Sequence, residues 1–218
     1  MLFTPYNMEN WQRSQLFYYF ARIAPTGYSL TVDVDVTHLR EAVRNRGLKF
    51  FPAYLYSVTS CICEQQELRT AIVDGKVGCF DYLTPLYAVF HEDTHTFSFM
   101  WTEYCSSFRE FYSRYIDDAT LYGKNKGLLA KEVAPPANAY TISCVPWVRF
   151  NHFAVHSYDK KDYFLPSVEA GRIAVVDGRE LMPLSITAHH ATTDGWHIDR
   201  LLQGLNHMIE NADQWLDE

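Results

Sequence analysis

Between Ser185 and Asp199 the chain reads SITAHHATTDGWHID, which crowds His189, His190, Asp194, Gly195 and His197 into one short stretch. Imidazole is the side chain that titrates nearest neutral pH. Held rigidly near an orienting charge, it can take a proton from a substrate hydroxyl. Two imidazoles and a carboxylate can instead ligate zinc, and His190, Asp194 and His197 would form that set. Against zinc, TTDG reads as a turn rather than part of a ligand-bearing helix, and no glutamate stands next to a ligand as a metalloprotease base would. A third reading is a polar strand end whose histidine is buried and hydrogen-bonded. LMPLSITA reads as a strand, so alternation sends His189 and His190 to opposite sides, and only one can enter a given cleft. Asp194 and Gly195 then turn the chain, and a helix starts near His197. An aspartate in that turn can pin the loop that carries a base without touching the imidazole.

The elements that must position these groups are readable from periodicity. Asn10 to Ala24 places Trp11, Leu16, Phe20 and Ile23 on a helical face, with Asn10 as its N-cap. GYSLTVDVDVT alternates, Leu30, Val32, Val34 and Val36 against Thr31, Asp33 and Asp35, as a half-buried strand does. Thr37 can cap the short helix HLREAVRNRG, and FPAYLYSVTSCICEQQ is a largely buried helix with Pro52 in its first turn. Asp74-Gly75 and Asp177-Gly178 sit between apolar runs as two-residue hairpin turns. LYAVFHEDTHTFSFMW reads as strand, turn, strand, and SSFREFYSRYIDDATLYG as an amphipathic helix. AKEVAPPANAY is a short loop, YTISCVPWVRF a strand broken at Pro146, and the last helix runs from Trp196. Several hairpins among helices predict an α+β fold, a two-layer sandwich with a mixed, mainly antiparallel sheet. No linker or repeat is visible, so residues 1–218 are expected to form one domain.

Composition bounds the function. Of 218 residues 48% are hydrophobic and 16% aromatic, ample for a core, and the net charge of -7 comes without any Lys/Arg block. Nucleic acid is therefore not the expected partner. The five cysteines are odd in number and lack paired C-x-x-C spacing, which predicts reduced thiols in a cytoplasmic protein. The opening residues do not read as a signal peptide, and no apolar run is long enough to span a bilayer.

The His motif, H-H-x-x-x-D-G, resembles that of the trimeric chloramphenicol acetyltransferases. The resemblance extends over nearly the whole chain, through NWQRSQLFYYFARIAPTGYSLTVDVDVT, FFPAYLYSVTSCICEQQELRTAI, VFHEDTHTFS, ISCVPWVRF and DYFLPS, in order. The His motif alone is also similar to that of the dihydrolipoyl acyltransferases, which share the fold. The resemblance implies a coenzyme A-dependent acyltransferase fold and acetyl transfer from acetyl-coenzyme A to a chloramphenicol hydroxyl, with no metal. It implies His190 as general base, Ser143 as the hydroxyl that stabilises the oxyanion, and Arg13 with Asp194 as a structural ion pair. It implies a homotrimer with sites between subunits and an acceptor pocket of Phe20, Thr26, Phe97, Phe99, Leu129, Phe153 and Val155.

Three residues depart from the family pattern. Phe20 stands where a pocket tyrosine is usual, Phe99 where a smaller residue is, and Glu169 where a threonine holds a water on the oxyanion. These departures bear on the acceptor and on turnover. They keep open an acetyltransferase for another hydroxyl compound, and a trimer that binds ligands without turning them over. Metal-dependent hydrolysis at the histidines is the remaining enzymatic alternative.

Overall fold

The structure, a computed structural model, describes residues 1–156 and 162–218. The chain begins with β1 (Phe3–Pro5), α1 (Ser14–Tyr18), a π-helical turn (Tyr19–Ile23), β2 (Gly27–Asp35), α2 (Thr37–Asn45) and α3 (Phe50–Cys63). A 3-10 turn (Glu67–Arg69) leads into β3 (Thr70–Val73), β4 (Lys76–Phe80), β5 (Thr84–His91), β6 (Thr96–Trp101) and α4 (Phe108–Tyr122). Then follow β7 (Ala139–Val145), β8 (Ser167–Gly171), β9 (Ala174–Val176), β10 (Arg179–His189), α5 (Gly195–Glu210) and α6 (Ala212–Trp215).

The larger sheet runs β2-β10-β8-β7-β5-β6, with β9 also on β10; the smaller is β1-β4-β3. In the larger sheet β5 pairs with β7, and β7 with β8, in parallel, while the other pairings are antiparallel. The expected mixed, mainly antiparallel sheet is found. Its two faces follow from alternation. Val34, Tyr87, Met100, Ile142, Val168, Leu184 and Ile186 join the helices α2 to α6 in the main core. The opposite face carries a row set by register: Thr31 opposite Ser185, Ser185 opposite Glu169, and Glu169 opposite Ser143.

Part of that opposite face is covered by the chain that leaves β7 at Pro146. The Ser185 hydroxyl donates to the Phe153 carbonyl, Arg149 pairs with Asp33, and Arg172 N donates to Val148 O. A Cβ on Gly171 would come within 2.8 Å of the Phe150 ring, so β8 must end in glycine for this segment to lie flat. Both predicted hairpin turns are present. Asp74 and Gly75, like Asp177 and Gly178, have positive φ at both turn positions, as the primed hairpin turns require.

The first helix departs from expectation. A bond from Ala24 N to Tyr19 O closes a π-turn, and the buried side chains are Phe17 and Ala21, while Leu16 and Ile23 are exposed. The helix starts at Ser14, and its N-cap is Arg13 rather than Asn10. Thr37 lies inside α2 instead of capping it; Asp35 accepts from both its N–H and its hydroxyl.

Candidate active site

β10 delivers His190 to a clamp of backbone bonds. His190 N donates to Thr26 O at 2.8 Å, and the ring Nδ1 lies 2.9 Å from Thr193 O. A carbonyl can only accept, so Nδ1 carries the proton and Nε2 keeps its lone pair. The ring rests on Phe20, centroids 4.1 Å apart, and meets Tyr28 edge-on at 5.5 Å. Tyr28 in turn donates to the Thr193 hydroxyl. Ring, loop and strand thus fix one imidazole orientation, with the basic nitrogen turned away from its own tether.

Arg13 braces this loop from outside. Its Nε donates to Ala191 O at 3.0 Å, Nη2 to His190 O at 3.0 Å, and Nη1 to Asp194 Oδ2 at 2.9 Å. One guanidinium therefore ties two loop carbonyls and a carboxylate, which lysine could not do. Asp194 also caps α5, accepting from Trp196 N, and its Oδ1 lies 3.0 Å from His197 Nδ1. Partial burial works to raise the Asp194 pKa, but the Arg13 bond and the nearby His197 outweigh it and hold the carboxyl below its ordinary range.

His189 does a different job. Its Nδ1 accepts from Ala191 N, and its ring packs edge-on against Phe164, which belongs with Phe17, Ala21 and Ala191 to a small satellite core. Burial, and then the neighbouring His190, push its pKa down. The two histidines have different partners, Phe164 for His189 and Phe20 with Tyr28 for His190, and His190 lies just past the strand end, where strand alternation no longer applies.

The remaining site candidates gather on the open face of the sheet. Ser143 and Glu169 are register partners, and Phe99 bridges Leu129 and packs edge-on against the half-exposed Phe97. Phe153 is tied to Ser185 and lies beside Phe150. Thr26 belongs instead with His190, and its hydroxyl bonds Ala24 O. Val155 is exposed and joins neither group by a described contact. Glu169 is fully buried; burial, opposed by a bond from Ser167, raises its carboxyl to about 7.

Within the chain the two groups do not meet. Ser143 lies two strands across from Ser185, and His190 five residues beyond it; at about 3.3 Å per residue and about 4.8 Å per strand they are roughly 19 Å apart. Sequence reasoning missed Thr193, Tyr28 and Phe164. Any residue has a carbonyl, so nothing in the letters marks Thr193 as the imidazole's tether. The His197 contact to Asp194 did have a signal, since three residues apart is the spacing of reciprocal capping. Among the described residues no cluster of three or more His, Cys, Asp or Glu side chains is arranged to hold a metal.

The fold is that of the coenzyme A-dependent acyltransferases. A dihydrolipoamide acetyltransferase of Azotobacter vinelandii superposes with a TM-score of 0.65 at 16% identity, over 93% of this chain and 88% of that one. A closer match defines the family. The family model described as chloramphenicol acetyltransferase matches residues 1–206. A chloramphenicol acetyltransferase of Clostridioides difficile is 38% identical over 96% of this chain and 97% of its own length. A solved chloramphenicol acetyltransferase superposes with a TM-score of 0.87 at 23% identity, over 95% of this chain and all of that one. The chain belongs to the chloramphenicol acetyltransferase family.

Proposed function

We propose that this protein transfers the acetyl group of acetyl-coenzyme A to a hydroxyl of chloramphenicol, with His190 as general base. The observation that carries this reading is the tether of His190 Nδ1 to Thr193 O, which leaves Nε2 as a fixed acceptor. An alcohol does not ionise at neutral pH. A neutral imidazole in reach takes its proton as the oxygen attacks the thioester carbonyl, a gain of about 10²–10⁴-fold. The negative oxygen of the tetrahedral intermediate then takes a hydrogen bond from Ser143, a donor worth roughly 3–4 kcal/mol. Collapse expels the coenzyme A thiolate, and the imidazolium supplies its proton. No acyl-enzyme is needed, because the thioester is already activated. Arg13 and Asp194 hold the loop and touch neither substrate.

The separation of His190 from Ser143 supports a homotrimer in which each site takes its base from one subunit and Ser143, Phe99, Leu129 and Phe153 from the next. Exposed apolar side chains near both groups, among them Leu16, Ile23, Phe97 and Trp147, suit such an interface. The same reading makes residues 1–218 one cytoplasmic domain. Among the described residues no helix is long and apolar enough to cross a membrane.

Thiol release from acetyl-coenzyme A, measured with and without chloramphenicol, tests the reaction. Chloramphenicol-dependent release that disappears in His190→Ala is the expected result. Release that no addition of chloramphenicol stimulates would overturn it.

A further inference from the structure

Acetyl transfer by His190 and Ser143 leaves Glu169 without a task, yet its surroundings are specific. Its Oε1 takes the hydrogen bond of the Ser167 hydroxyl. Its Oε2 is buried and has no partner among the described residues. An ionised carboxylate here would leave one charged oxygen buried without a hydrogen bond, at a large desolvation cost. The neutral acid fits: Oε1 is then the carbonyl that accepts from Ser167, and Oε2–H is a donor needing an acceptor. The register partner of Glu169 on β7 is Ser143. Adjacent in-register residues share a face of the sheet, and the Ser143 hydroxyl makes no hydrogen bond among the described residues. The covering segment, tied by Phe153 to Ser185 and by Arg149 to Asp33, lies over part of this face.

We propose that Glu169 is a positioning residue that acts through Ser143: its neutral carboxyl donates from Oε2 to the Ser143 oxygen through one bridging water. This rests on Ser143 being the oxyanion donor. A hydroxyl that accepts one hydrogen bond donates a stronger one, and its proton is left free for the developing negative oxygen. Ionised, Glu169 takes the Ser143 proton as an acceptor and adds a like charge beside the oxyanion. Turnover therefore falls as Glu169 loses its proton.

The other ionisable groups around it are accounted for. Tyr54 of α3 donates to the Ser143 carbonyl, and burial keeps its hydroxyl far above the ordinary range. Burial likewise pushes the Cys144 thiol up to about 11. Asp33 is paired with Arg149, and His152 and His156 of the covering segment are exposed.

The test is the pH profile of kcat/KM for chloramphenicol. Wild type should show an alkaline limb that falls about tenfold per pH unit once Glu169 ionises. Glu169→Gln should lose the falling limb, whatever its plateau, while His152→Gln and His156→Gln keep it. The infrared band of a protonated carboxyl, taken as wild type minus Glu169→Gln, should fade over the same pH range; it needs no turnover. A flat wild-type profile on the alkaline side, a falling limb that survives in Glu169→Gln, or an ionised Glu169 at pH about 6 overturns the proposal alone. A wild-type protein without chloramphenicol-dependent thiol release overturns the acetyltransferase reading and this proposal together.

Discussion

Phe20 lies face-on to His190, their ring centroids 4.1 Å apart and their planes inclined by 31°. The ring is half-buried and packs beside the satellite core rather than within it. Its position beside the base suits an acceptor pocket. A hydroxyl added there can meet the acceptor, and a neutral hydrogen bond contributes about 0.5–1.5 kcal/mol, two- to tenfold in binding. Phe20→Tyr should lower KM for chloramphenicol by that factor, leave KM for acetyl-coenzyme A alone, and keep the melting temperature. A lower melting temperature with both KM values unchanged would place the ring in the core. Weaker chloramphenicol binding at unchanged stability would point to a less polar hydroxyl acceptor.

The two histidines should separate cleanly. His190→Ala should lose about 10²–10⁴-fold in kcat or more with the fold intact. His189→Ala should lose far less activity but melt earlier, because its ring packs on Phe164. Since burial depresses the folded pKa of His189, the unfolded chain takes up the proton first as pH falls. Stability carried by neutral His189 is present above its ordinary pKa of about 6.5 and is lost as pH falls below it. Thermal melts at descending pH should show a shallower acid decline in His189→Ala. Equal loss of activity in both variants would mean the base is misassigned.

Much of this site was legible in the letters. The Arg13 and Asp194 pair, 181 residues apart, came from matching family blocks, and the ion pair is present at 2.9 Å. What stayed hidden depends on long-range pairing or on backbone groups. The row that sets Glu169 beside Ser143 comes from the parallel pairing of β7 with β8, and no local pattern encodes which residues of two distant strands align. The face of the first helix differs because the helix starts only at Ser14, leaving Trp11 outside it, and because a period of 3.6 fails across the π-turn that carries Ile23; Leu16 and Ile23 are both exposed.

Arg13 and Asp194 should couple, but unequally. Arg13 also holds the carbonyls of His190 and Ala191, so its loss frees three acceptors, whereas loss of Asp194 frees one guanidinium nitrogen, the Trp196 N–H and the His197 contact. Breaking a fully buried pair costs roughly 3–5 kcal/mol; the part-exposed Asp194 side chain brings the expected cost below that. Arg13→Val should lower kcat more than Asp194→Ala, and the double variant should be worse than Arg13→Val only by the lost α5 cap, about 1 kcal/mol. Asp194→Asn keeps the α5 cap, worth about 1 kcal/mol, and should melt above Asp194→Ala. Strictly additive losses would mean the two residues act independently.

Glu169 should also shape stability against pH. Its carboxyl is raised from 4.5 to about 7 by burial. Between those values the folded chain holds a proton that the unfolded chain has released, so stability falls as pH rises through that window. The full loss is about 3 kcal/mol at about 1.4 kcal/mol per unit. Denaturant melts at pH about 5 and about 8 should show this decline in wild type and little of it in Glu169→Gln. An equal decline in both would mean Glu169 is ionised throughout.

Separation of His190 from Ser143 by roughly 19 Å within the chain, read with the proposed trimer, yields the most demanding expectation, because it concerns mixtures rather than single variants. His190→Ala and Ser143→Ala should each be nearly inactive alone. Refolded together at equal ratio, their subunits assort at random in a ring of like interfaces. A site is whole when its base comes from a Ser143→Ala subunit and its serine from a His190→Ala subunit, which makes about a quarter of all sites intact. Mixed trimers should thus recover about a quarter of wild-type kcat, with wild-type KM for chloramphenicol. A chain carrying both substitutions, refolded with wild type, gives the control: it also leaves about a quarter of sites whole, whereas a site confined to one subunit would leave about half. No recovery in the first mixture, with half retained in the second, would place base and oxyanion donor in the same protomer and overturn the shared-site reading.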